Sequence, residues 1–219
     1  EKVLSIQLTV DGKQIDQAQL LKGGDFKGKS IELIKTSNLV SANVEPASVT
    51  PLKSVIRMND GVLECEQFLT PNEDTDIDKL YAFMFSWTTQ TTEWMAKTAK
   101  GESLEGSFGD KSWELMKDVQ WTSIYNPVYN TAAATVVDQD SWNGAGVHHC
   151  YWNVKAYHKQ YYQPVGKMTL KKDTTYHWKV KVLFTKAEPK QWKQTVKDLI
   201  GNTSAAKPAA DVSLTALDQ

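Results

Sequence analysis

Arginine is almost absent from this chain. Arg57 is the only one among 25 basic residues, which stand against 26 Asp+Glu for a formal net charge of -1 in 219 residues. Nucleic-acid readers rely on the guanidinium fork, which grips phosphates and guanine edges with two parallel hydrogen bonds. A near-neutral chain with one arginine argues against that class, and it offers no arginine cluster to hold an anionic substrate. Cysteine is scarce too. Cys65 and Cys150 are too few for a disulfide framework and lack CxxC spacing, so they form either one bridge or two buried thiols. The longest apolar stretch, Leu80 to Trp87, falls well short of the roughly 20 residues that a membrane helix needs. There is no internal repeat, no heptad series, and no GxSxG, HExxH, P-loop or dinucleotide fingerprint.

What is abundant is aromatic. The chain holds eight Trp and eight Tyr, with 41% hydrophobic residues overall. A chain this long can bury about 70% of the surface its unfolded form exposes, so it needs no metal or disulfide to fold. The expectation is one domain over residues 1–201 and a loose Ala-, Ser-, Thr- and Pro-rich tail over 202–219, whose Val212 and Leu214 could add an edge strand.

The hydrophobic pattern is that of strands. Leu4, Ile6, Leu8 and Val10 alternate with polar residues, which predicts a strand with one buried face. Asp11-Gly12 and Asp60-Gly61 are hairpin dipeptides, since both central residues of a type I′ turn need positive φ. The second of them joins Ser54–Met58 to Val62–Leu69. Leu80 to Trp87 is apolar at nearly every position, as a central strand covered on both faces would be. Three short helices are expected in connections: Glu93–Lys100 behind Thr91 or Thr92, a turn or two from Asp110 or Ser112 through Met116, and a helix from Pro189 to Gly201 carrying Trp192, Val196 and Ile200 on one stripe. The run from Val147 to Tyr162 is taken as one strand direction, with His148, Cys150, Trp152, Val154 and Ala156 on one face and His149, Tyr151, Asn153, Lys155 and Tyr157 on the other.

Leu170, a polar turn, Tyr176 six residues on, and then apolar residues at every second position as far as Val180 resemble the tyrosine-corner strand of fibronectin type III and related sandwiches. The resemblance covers about eleven residues and implies a fold, not a function. Together the signals predict an all-β, antiparallel β-sandwich or jelly-roll-like chain with two or three short helices.

Three groups of residues could carry function. Aromatic residues beyond the needs of a core suggest a surface that binds a carbohydrate or protein partner by stacking, with Trp142, Tyr151, Tyr157, Tyr161 and Tyr162 as its candidates. The four histidines, His148, His149, His158 and His177, offer a copper or zinc site if the chain brings them together, although adjacent His148 and His149 point apart on a strand. Asp74, Asp76 and Asp78 alternate as calcium ligands do, but Lys79 and Phe85 break the EF-hand pattern. Two carboxylate pairs of like parity, Asp138 with Asp140 and Glu64 with Glu66, leave a glycan-active enzyme as an alternative. The reading that results is a non-enzymatic binding or assembly protein. A start at Glu1 fits a secreted, periplasmic or cell-surface setting, and the tail could pair with a neighbouring copy's sheet edge.

Overall fold

The computed structural model describes residues 1–40, 49–138, 141, 148–154, 156–164, 166–202 and 212–215. Among them the chain is nearly all β, in antiparallel sheets, with two short helices. It divides into two compact units. The first comprises Glu1–Thr75, Lys171–His177 and Ala205–Gln219; the second comprises Asp76–Leu170 and Trp178–Ser204.

The first unit is a meander. It runs through β1 (Lys2–Val10), β2 (Lys13–Gln14), α1 (Gln17–Lys22), β3 (Asp25–Gly28), β4 (Ser30–Val40), β5 (Val49–Asn59) and β6 (Val62–Leu69), and its main sheet has the order β2-β1-β4-β5-β6. Both hairpin dipeptides turn as their composition requires: Asp11 and Gly12 have φ of 48° and 78°, and Asp60 and Gly61 have 49° and 76°. The alternation in β1 buries less than expected. Leu8 is buried, whereas Leu4 is 58% and Ile6 is 40% exposed. The single arginine is committed to this sheet. Arg57 Nε donates to Glu32 at 2.7 Å from the adjacent strand, and its Nη1 donates to Glu66 on the other side.

The second unit holds β7 (Thr75–Ile77, its first residue belonging to the first unit), β8 (Phe83–Thr88), β9 (Glu93–Thr98), β10 (Ser103–Ser107), β11 (Trp113–Asn126), β12 (Thr131–Val137), β13 (His148–Val154), β14 (Tyr157–Gln163), β15 (Met168–Leu170), β16 (Tyr176–Lys186, its first two residues belonging to the first unit) and α2 (Trp192–Gly201). It is a sandwich of two layers joined by one strand. The C-terminal part of β11 pairs with β9 and β12, and its N-terminal part pairs with β13. The changeover falls between Asp118, the last residue paired with β13, and Val119, the first paired with β9; a bulge between Glu114 and Lys117, where Leu115 takes φ of 45°, lies within the β13-paired part. One layer is β10-β9-β11-β12-β16; the other is β11-β13-β14-β8. α2 covers the first layer by stacking Trp192 on Tyr125, with ring centroids 5.2 Å apart.

Several local expectations change here. Glu93–Thr98 is a strand, not a helix, because it is hydrogen-bonded on one side to β10 and on the other to β11; this pairing overrides the helix propensity of Met, Ala and Lys. Trp113–Met116 likewise opens β11 instead of forming a helical turn. The apolar run before Trp87 is an edge strand of its layer, not a central one, and Met84 is 57% exposed on it. The tyrosine corner forms: the Tyr176 hydroxyl accepts a hydrogen bond from the Lys171 backbone N–H at 2.9 Å. Beyond α2, β17 (Val212–Thr215) pairs antiparallel with β3 of the same chain.

Candidate functional site

The site is built on the β13–β14 hairpin. The chain reverses between Val154 and Tyr157, which face each other, so side-chain parity flips from one strand to the next. Reading the segment as one direction therefore misassigns half of it. Tyr151 opposes Gln160, and His149 opposes Tyr162. All four point into the sandwich. Tyr151 and Tyr162 are both 0% exposed, so neither can present its ring to a ligand, and they leave the candidate binding set. Trp142 lies outside the described residues.

The inward face is a polar network inside an aromatic core. Gln160 Oε1 accepts from the Trp87 indole N–H at 2.8 Å, and its Nε2 donates to Thr122 Oγ1 at 2.9 Å and to the Tyr162 hydroxyl at 2.7 Å. Thr122 sits in the opposite layer, so one side chain ties both layers together. Burial raises the Tyr151 and Tyr162 hydroxyls well above the ordinary phenol range. His149 is wedged between those two rings, with centroids 4.6 Å from each. Neither of its ring nitrogens has a hydrogen-bond partner, and burial pushes its pKa down to about 3.

The outward face carries Trp152 from β13 and Tyr157, Lys159 and Tyr161 from β14, with Trp113 paired to Trp152 from β11. Trp113 and Trp152 lie nearly parallel, at 17° with centroids 5.7 Å apart, and Trp113 is 41% exposed. Tyr161 packs its ring beneath them, within 6.3 Å of both, and braces Tyr81 at 4.8 Å. It is only 7% exposed and so supports the surface more than it forms it. The Lys159 ammonium stands 5.7 Å from the Trp152 and Tyr161 centroids and 5.8 Å from that of Tyr157. The result is a stacked indole pair with a cation held beside it by three rings. Of the sequence candidates, Tyr157 and Tyr161 belong here. The sequence around Trp113 predicts a helical turn, and only the β11–β13 register reveals its place.

The histidines do not converge. His148 faces outward and lies 3.6 Å from Asp118. His149 is enclosed as described. His158 is buried on the inner face and stacked on Phe108 at 4.1 Å; burial lowers its pKa, while hydrogen bonds to the Thr91 and Thr89 backbone act the other way. In the first unit, His177 stacks on Phe68 at 4.2 Å, with Nε2 2.9 Å from Glu66. Among the described residues no three His, Cys, Asp or Glu side chains are grouped as a metal ion needs. The Asp74 carboxylate accepts from the Lys171 ammonium and the Lys172 N–H, so a lysine already stands where a cation would. Asp76 accepts from the Thr169 hydroxyl. Both cysteines are buried free thiols, pushed up by burial to about 12 at Cys65 and about 11 at Cys150, which makes them poor nucleophiles.

No family model matches the chain, and no curated protein matches it in sequence. Solved structures share its fold. The galactosidase domain of an α-galactosidase-sucrose kinase superposes with a TM-score of 0.56 at 8% identity, covering 85% of this chain and 28% of its own. The α-galactosidase from Lactobacillus brevis gives 0.54 at 9% identity over 88% of this chain and 30% of its own. A putative aldose 1-epimerase from Klebsiella pneumoniae gives 0.52 at 9% identity over 82% and 57%. The chain thus spans between 28% and 57% of the length of these proteins. The likeness is one of fold, that of antiparallel β-sandwich domains.

Proposed function

We propose that this chain is a non-enzymatic carbohydrate-binding protein whose binding surface is the outer face of the β11-β13-β14-β8 layer. The observation that carries the reading is the near-parallel Trp113–Trp152 pair on the outward face, with Trp113 41% exposed. The flat, apolar side of a pyranose ring packs on an indole by dispersion and burial, and a stacked indole pair is a firm support for one such contact. Lys159 stands at the border, where three donors can reach sugar hydroxyls. The opposite side of the same layer is sealed by the Gln160 network, which holds the platform rigid and reduces the cost of ordering on binding. The fold shared with domains of proteins named for galactoside and aldose chemistry fits this reading.

The test is retention on immobilised oligosaccharides. Trp113→Ala and Trp152→Ala should each lose retention while their far-ultraviolet circular dichroism stays that of the parent protein and their melting temperature falls by only several degrees. Retention of both variants at parental strength refutes the reading, as does a parent protein that no glycan retains.

A further inference from the structure

A second concavity of the second unit opens on the inner side of β8. Trp87 points inward from that strand and forms one wall; Phe184 of β16, 49% exposed, forms the other. Tyr129, 59% exposed in the β11–β12 turn, closes one end. The floor is Ala132 and Ala133. Ala133 is paired with Ile124 on one side and with Phe184 on the other, so a single methyl stands where its neighbours carry bulk. The space left is a cleft of about 560 Å³, within the usual range of small-molecule sites.

The chemistry of the lining narrows the occupant. Three of its polar groups are turned back on the protein: the Trp87 N–H is held by Gln160, Asn126 Oδ1 accepts from the Val128 N–H at 3.0 Å, and the Thr185 hydroxyl donates to the Lys186 carbonyl at 3.0 Å. Ser86, Thr88, Thr91 and Thr131 add hydroxyls at the lining, yet most of the surface facing the cavity is apolar, and no Asp or Glu lines it among the described residues. Lys186 is the one charged group in the lining. Its ammonium makes a single long bond, 3.4 Å to the Tyr129 carbonyl, and has no carboxylate partner among the described residues. An exposed cation beside aromatic walls favours an anion whose remaining body is apolar.

We propose that this cleft binds a small, largely apolar carboxylate, its ring or short chain between Trp87 and Phe184 and its carboxylate on the Lys186 ammonium. This site is separate from the glycan platform and does not depend on it.

The probe is 4-phenylbutyrate, titrated calorimetrically into the full chain, with the neutral 4-phenylbutyramide and galactose as comparisons. Saturable one-to-one binding of the carboxylate is expected, with the amide weaker. Lys186→Gln should weaken the carboxylate about tenfold, the size of one charge-assisted hydrogen bond, and leave the amide unchanged. Ala133→Leu, which fills the floor, should abolish binding. Phe184→Ala, at an exposed position, should weaken it without touching the fold and keeps the test valid if the leucine variant is unstable. The proposal fails if the carboxylate shows no saturable binding into the millimolar range. It also fails if Lys186→Gln binds both ligands as the parent does, or if neither cavity variant changes affinity. Saturable galactose binding that Ala133→Leu removes would make the cleft a sugar site and overturn the assignment.

Discussion

The two sides of the β13–β14 hairpin are made of the same kinds of residue and do opposite work. Inward stand His149, Tyr151, His158, Gln160 and Tyr162, all under 9% exposed. Outward stand Trp152, Tyr157, Lys159 and Tyr161, with Trp113 beside them. Every inward polar atom is either satisfied within the layers or held without a partner at an energetic cost. The outward rings hold one another and a lysine. Aromatic content is thus no guide to binding until the register of a strand is known, because a shift of one residue exchanges the two populations.

That contrast can be broken from the inside or from the outside. The largest effect expected is that of acid on the inward face. His149 folds neutral, with a pKa of about 3 against 6.5 for the free side chain. The unfolded chain therefore binds the extra proton throughout that window, and stability is present above pH 6.5 and lost as the pH falls toward 3. The slope for one such histidine approaches about 1.4 kcal/mol per pH unit. His158, also depressed, adds in the same direction. Urea unfolding at pH 7 and pH 5 should show the loss, and His149→Leu should flatten it; an unchanged slope in that variant removes His149 as the cause.

Next in size is Gln160→Leu. It strands the Trp87 N–H and removes the cross-layer bonds, at a cost of about 2–3 kcal/mol by chemical denaturation. A change under about 0.5 kcal/mol would mean the network is dispensable. On the outward face, Trp152→Ala should cost no more than about 1–2 kcal/mol of stability while reducing glycan affinity tenfold or more, a separation of binding from folding that no inward variant should show. Smallest is Lys159→Met. It forfeits cation–π contacts of roughly 0.5–1 kcal/mol and should change glycan affinity only a few-fold, with a melting temperature within a degree or two of the parent. A large stability loss there would make Lys159 part of the fold instead of the surface.

Much of the strand content was readable because it rests on local chemistry. The Asp-Gly turns, the Ser54–Met58 and Val62–Leu69 arms, the Leu170–Tyr176 corner and the final helix each announce themselves in a few adjacent residues. Glu93–Thr98 and Trp113–Met116 did not, since their strand state comes from partners far along the chain. The make-up of the outward face was less legible: the reversal after Val154 puts Tyr151 and Tyr157 on opposite faces, and Trp113 joins only through pairing with Trp152. The cleft left no trace, because its decisive residues are alanines, and small side chains on a strand carry no signal until their neighbours are placed around them.

The passage of β11 through both layers has a consequence for how the second unit opens. Its backbone is paired with β9 and β12 in one half and with β13 in the other, and the halves meet directly between Asp118 and Val119. Neither layer can peel away without baring part of that strand. The amides of the two halves should then exchange with solvent deuterium at similar, slow rates, as members of one cooperative opening unit.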